Sequence, residues 1–233
     1  MTSAMTTDAA QSHTRLLPSH LRRRVIGAPM AGGPTTPALI AAVGEAGGLG
    51  MIGSGYLDAA ATRAEIARVR ELTDVPFGVN VFLLDEADSA EALAAAGGAA
   101  GLREYASTLE PVARRLGIEL VRDPQFSDFD QDATIAALID EPVPVVSFTF
   151  GIPSADTVRR LQEVGSAVVV TVAGVADARR AVEVGADWLS VQSTEAGGHR
   201  STTTVGEEPG EVSTVDLVRA VREALPDVEF VAA

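Results

Sequence analysis

One rhythm constrains this chain most. Short β-rich runs alternate with Ala-rich helical stretches, and glycine closes one helix after another. Residues 37–46 read as a helix closed by Gly47 and Gly48, residues 155–164 as one ending at Gly165, and residues 176–184 as one ending at Gly185. Glycine suits the residue after a helix because it takes the left-handed conformation without steric cost. Strands are expected at residues 25–28, 49–53, 76–82, 143–148, 167–172, 188–191 and 229–232. Between the third and fourth, residues 87–116 read as a long Ala-rich helical region broken near Gly97 and Gly98, and residues 134–140 as a short helix. Each strand but the last is followed by a helix, and that alternation predicts a parallel sheet.

Two parallel architectures compete. A dinucleotide-binding sheet would carry G-x-G-x-x-G after its first strand. Here Gly27 is followed by Ala28, Pro29 and Met30. The expectation is therefore an α/β fold of the TIM (β/α)₈ type, with about seven of its strands present. A barrel closes its edges only with an eighth strand, and this sequence stops at Ala233. The barrel is expected to be incomplete, with the sequence truncated at its C-terminal end. Residues 1–23 read as a polar N-terminal tail holding His13 and His20. Residues 24–233 read as one barrel domain with a helical excursion around 85–140.

Composition narrows the function. Hydrophobic residues make up 46% and aromatics 4% of the 233 residues, so the core is built from small aliphatic side chains. The net charge of -14 opposes nucleic acid and anionic membrane surfaces as partners. With no cysteine, thiolate metal sites, disulfides and cysteine nucleophiles are excluded. No apolar stretch has the length of a membrane span, and no secretory signal is visible, so a cytoplasmic location is the default. No histidine-based metal spacing occurs, and the acidic stretch at 123–132 lacks the calcium-loop pattern; no metal is expected.

Active sites of such barrels gather at the C-terminal ends of the strands. The residues falling there are Met30, Ala31 and Gly32 after the first strand, Asn80 in the third, Ser147 and Thr149 in the fourth, and Thr171 in the fifth. Gln192, Glu195, Gly197, Gly198 and His199 follow the sixth. Buried amides such as Asn80 and Gln192 must be hydrogen-bonded. Their planar donor and acceptor sets suit the edge of a heterocycle, or they satisfy loop backbone. His199 follows two glycines at a strand end, and histidine titrates near neutrality, which suits a general base. Glu195 would tune it or stand as a solvated carboxylate. Arg200 reads equally as a surface cation and as an anion clamp.

Ala28-Pro-Met-Ala-Gly-Gly33, Ala46-Gly-Gly-Leu-Gly50, Pro76-Phe-Gly-Val-Asn80, Val146-Ser-Phe-Thr-Phe-Gly151 and Gln192-Ser-Thr-Glu-Ala-Gly-Gly-His199 resemble, in order and spacing, the nitronate monooxygenases. The resemblance implies a barrel that binds FMN without a metal and oxidises alkyl nitronates, such as propionate 3-nitronate, with O₂. It places Met30, Ala31 and Gly32 along the flavin, Asn80 and Gln192 at its polar edge, and Gly197 and Gly198 where backbone approaches it. His199 would be the base, with Ser147 and Thr149 in the substrate pocket. Many relatives carry histidine at Thr149, which alters the expected substrate range. The family continues past Ala233 with the loops that cradle the FMN phosphate, so these 233 residues are expected to bind FMN weakly. The Glu-Ala-Gly-Gly-His element is shared with FMN-dependent enoyl-acyl-carrier-protein reductases. An NAD(P)H-dependent reductase of enoyl-thioesters or quinones is therefore the alternative, and a truncated, catalytically impaired barrel a second. Small-molecule partners are expected, and a homo-oligomer is allowed.

Overall fold

The computed structural model describes residues 15–84, 86–95, 97–121, 127–204 and 207–233. His13 and the loop expected at Asp123 and Pro124 lie outside them. The described residues build a parallel sheet in which each strand neighbours the next in sequence. The strands are β1 (Gly50–Gly53), β2 (Phe77–Phe82), β3 (Val145–Thr149), β4 (Ala167–Val172), β5 (Trp188–Val191) and β6 (Phe230–Ala232). The helices are α1 (Pro37–Glu45), α2 (Ala59–Leu72), α3 (Glu86–Ala95), α4 (Gly98–Leu116), α5 (Gln131–Asp140), α6 (Ala155–Glu163), α7 (Val175–Glu183) and α8 (Thr214–Ala224). The sheet is an open arc of a (β/α)₈-type barrel.

The first expected strand is reduced to one parallel bridge between Ile26 and Leu49. Gly27 N donates to Leu49 O at 2.9 Å, and Leu49 N to Val25 O at 3.0 Å. Beyond that, Pro29 has no N–H, and Met30 N turns back onto Ala28 O at 3.0 Å, so the ladder stops.

Several helices start on a side-chain cap immediately after the sheet. Thr36, Asp58, Ser154 and Ser213 accept from backbone amides in the first turns of α1, α2, α6 and α8. Such caps satisfy amides that have no partner within the helix. They also fix where each loop at the C-terminal end of the sheet must finish.

Alternation along the strands sorts side chains onto two faces. Ile52, Val79, Val81, Val146, Phe148 and Val168 pack outward against helix residues such as Ile66, Leu138 and Leu161. Val170, Leu189 and Val191 do the same against Ala178, Ala181, Leu217 and Val221. The inner face is layered by the register. One rung holds Met51, Gly78, Val145 and Ala167. The next holds Gly53, Asn80, Ser147, Val169 and Trp188. Above these, Phe82 pairs with Thr149, and Thr171 with Ser190. The interior thus passes from apolar to polar toward the C-terminal ends.

The segment 15–23 packs against the sheet. Leu16, Leu17 and Leu21 pack beneath the sheet against Leu49, Met51, Val145, Ala167, Val169 and Trp188. Trp188 Nε1 donates to Leu16 O at 3.1 Å, and Arg15 Nε to Asp187 Oδ1 at 2.6 Å. Three leucines within six residues thus place apolar side chains at that end of the arc.

Candidate active site

The inner face carries a polar floor at the C-terminal ends of β2, β3 and β4. Asn80 is 2% exposed. Its Nδ2 donates to Ser147 Oγ and to Thr149 Oγ1, each at 2.9 Å. Thr149 Oγ1 in turn lies 3.2 Å from Thr171 Oγ1. Asn80, Ser147, Thr149 and Thr171, expected separately along the sequence, thus form one hydrogen-bonded row.

Met30, Ala31 and Gly32 lie against the end of β1. A Cβ at Gly53 would sit 2.7 Å from Ala31 N and 2.8 Å from Met30 C, so Gly53 is what lets this segment approach. Met30 is 44% exposed, and its amide is held by Thr35 Oγ1 at 2.9 Å.

The loop after β5 is organised by Gln192. Its Nε2 donates to His199 O at 3.0 Å, and its Oε1 accepts from Ser201 N at 2.6 Å. The Gln192 amide therefore satisfies loop backbone, with one N–H left over. Gly197 and Gly198 have open space where a Cβ would be, and Gly198 has φ +86°. Glu195 turns away from His199 and holds α8, accepting from Thr214 N at 2.8 Å. That amide, and then the Thr214 hydroxyl, hold its carboxyl below the ordinary value. Arg200 Nη1 donates to Thr194 O at 3.0 Å. The loop's far side rests on Asp177, whose carboxylate accepts from Thr203 Oγ1 at 3.4 Å; burial, then the nearby Glu207 charge, raise its pKa.

The sequence reading missed a set of rings. Tyr56 Oη is 3.2 Å from His199 Nε2. The His199 ring also lies 6.2 Å from Phe82 and 5.8 Å from Phe150 between centroids. Phe82 and Phe150 stand edge to face at 4.7 Å, and Tyr56 lies 5.7 Å from both Phe82 and Phe129. These rings pack around His199, and Phe82 stands on the face of β2 that carries Asn80. One signal was available: Phe82 stands two residues beyond Asn80, on the same face of β2. The others sit on loops, whose approach the strand pattern does not encode.

The floor, the open glycine loop and the apolar walls fit the ring of a planar heterocycle better than a metal. Among the described residues, no group of three His, Cys, Asp or Glu side chains could hold a metal ion.

A family model described as nitronate monooxygenase matches residues 14–233. A nitronate monooxygenase of Pseudomonas aeruginosa is 37% identical over 222 residues, covering 92% of this chain and 60% of that protein. One from Paraburkholderia phytofirmans is 36% identical over 179 residues, covering 76% of this chain and 46% of that protein. Among solved structures, nitroalkane oxidase from Streptomyces ansochromogenes superposes with a TM-score of 0.79 at 36% identity, over 92% of this chain and 59% of that one. FabK from Thermotoga maritima superposes with a TM-score of 0.63 at 29% identity, over 91% of this chain and 50% of that one. The chain spans roughly half to three-fifths of the length of these relatives.

Proposed function

The chain belongs to the nitronate monooxygenase family, and from that premise we propose that it forms the substrate-facing part of an FMN-dependent enzyme oxidising alkyl nitronates with O₂. The observation that carries this reading is the Asn80–Ser147–Thr149–Thr171 row on the inner face with the His199 ring near Phe82 of that face and beside Tyr56. Met30, Ala31, Gly32, Gly197 and Gly198 would border the flavin ring, and the Asn80 and Gln192 side chains would meet its polar edge. Bound FMN supplies the electron acceptor between nitronate and O₂.

This chain's own residues act on the substrate. Ser147 and Thr149 border the pocket floor. Phe82, Phe150 and Tyr56 give one side of it an apolar surface that favours an alkyl group. His199 takes the α-proton of a neutral nitroalkane: the C–H bond breaks, N–H forms on imidazole, and the electron pair moves into the C=N bond of the nitronate. A substrate added already as nitronate bypasses that step. The match to the nitronate monooxygenase family supports this chemistry over NAD(P)H-dependent reduction.

The test is FMN-dependent O₂ uptake with a neutral nitroalkane and with its preformed nitronate. His199→Ala is expected to lower kcat/KM on the nitroalkane by about 10²–10³-fold, with a far smaller loss on the nitronate. Equal losses on both would sink the base assignment. Rapid anaerobic flavin bleaching by NADPH without nitronate turnover would sink the monooxygenase reading.

A further inference from the structure

We propose that Tyr56 is a positioning residue: its hydroxyl accepts the Nε2–H of His199 and so makes Nδ1 the nitrogen that takes the proton. This rests on His199 being the base. The loop that carries His199 does little to orient its ring. Gly197 and Gly198 contact nothing at their Cβ positions, and the Gln192 bond reaches only the His199 carbonyl. Among the described residues, the ring's hydrogen-bonding partner is Tyr56, at 3.2 Å from Nε2.

Tyr56, by contrast, is anchored from several sides. Its turn is tied to the floor: Ser54 N and Oγ donate to Asn80 O at 3.1 and 2.6 Å, and Leu57 N closes the turn on Ser54 O at 2.8 Å. Its ring meets Phe82 edge-on, and Phe129 packs beside it. Gly55 allows this, because a Cβ there would collide with the Phe82 ring. Phe129 and Phe150 hold φ values of +51° and +71°. Bulky residues in that region are strained and persist only where the surroundings over-determine them. Both rings lie in the wall that frames Tyr56 and His199.

The two hydrogen-bond polarities have different consequences. With the phenol donating into Nε2, neutral imidazole carries its proton on Nδ1 and has no free lone pair. With Nε2–H donating to the phenol oxygen, the Nδ1 lone pair is open. After proton transfer, Nε2–H still has its acceptor, so the imidazolium forms without breaking the bond. Only the second arrangement lets His199 act without first releasing Tyr56.

Nitrogen-15 chemical shifts of the imidazoles in the full-length protein, above the histidine titration, test the pairing directly; His199→Ala identifies the signals. Wild type is expected to show Nδ1 as the unprotonated nitrogen of His199, and Tyr56→Phe to move the tautomer ratio by at least ~2-fold. Unprotonated Nε2 in wild type, or a ratio unchanged in Tyr56→Phe, overturns the proposal. In turnover, Tyr56→Phe is expected to reduce kcat on a neutral nitroalkane about tenfold more than on the matching nitronate. A loss shared equally by both substrates means a merely structural role. The nitrogen shifts do not depend on turnover, so a failure of the pairing is distinguishable from a failure of His199 as base.

Discussion

Phe150 shows how much of the site lies below the level of pattern. Its φ of +71° is costly for a phenylalanine, yet its ring closes the wall on Phe82 and His199. Two substitutions separate strain from packing. Phe150→Ala keeps the strained backbone and loses the ring, so it is expected to destabilise by about 2–4 kcal/mol. Phe150→Gly loses the same ring but relieves the backbone, and is expected to recover about 1 kcal/mol of that. Urea midpoints of both variants check this; a glycine variant no more stable than the alanine variant would show that the strain is absent. The polar row from Asn80 to Thr171 was legible because strand periodicity puts those positions on one face. The ring wall was not, because left-handed φ values and loop approach leave no period in a sequence.

Among the elements, α8 depends on the loop that precedes it. Ser213 caps its first turn, and Glu195, from the loop after β5, accepts from Thr214 N. The folded carboxyl is held below its ordinary value by that hydrogen bond. A depressed carboxylate pKa contributes stability that is present above the unfolded value and lost as pH falls through the folded one. Glu195→Gln is therefore expected to speed amide exchange in the first turn of α8 at neutral pH and to match wild type at acid pH. A difference that grows on acidification would contradict the assignment. Glu195 was expected either to tune His199 or to stand as a solvated carboxylate; it is exposed, and its distance in the sequence from Thr214 hid the bond it makes there. The helix ends were more accessible, because Gly47, Gly165 and Gly185 mark them through local chemistry.

At the scale of the molecule, apolar side chains pack at one end of the arc and the proposed site lies at the other. Leu16, Leu17 and Leu21 cover the apolar rung, while the site lies across the sheet at the C-terminal ends. Leu17→Ala is expected to cost about 1–3 kcal/mol, the leucine being only partly buried. It should leave FMN affinity, read by flavin fluorescence, unchanged. A loss of affinity matching that of His199-loop variants would mean that the two ends are coupled.

The sequence by itself determined the parallel βα order, the placement of the polar residues at strand ends, and the family, because periodicity, caps and short motifs are local properties of a polypeptide. Tertiary structure decided the rest. It set Gln192 onto its own loop, Glu195 onto α8, residues 15–23 beneath the sheet, and Tyr56 onto His199. Each of these joins groups whose meeting depends on how the sheet curls and how its loops fold back, and no local spacing specifies that.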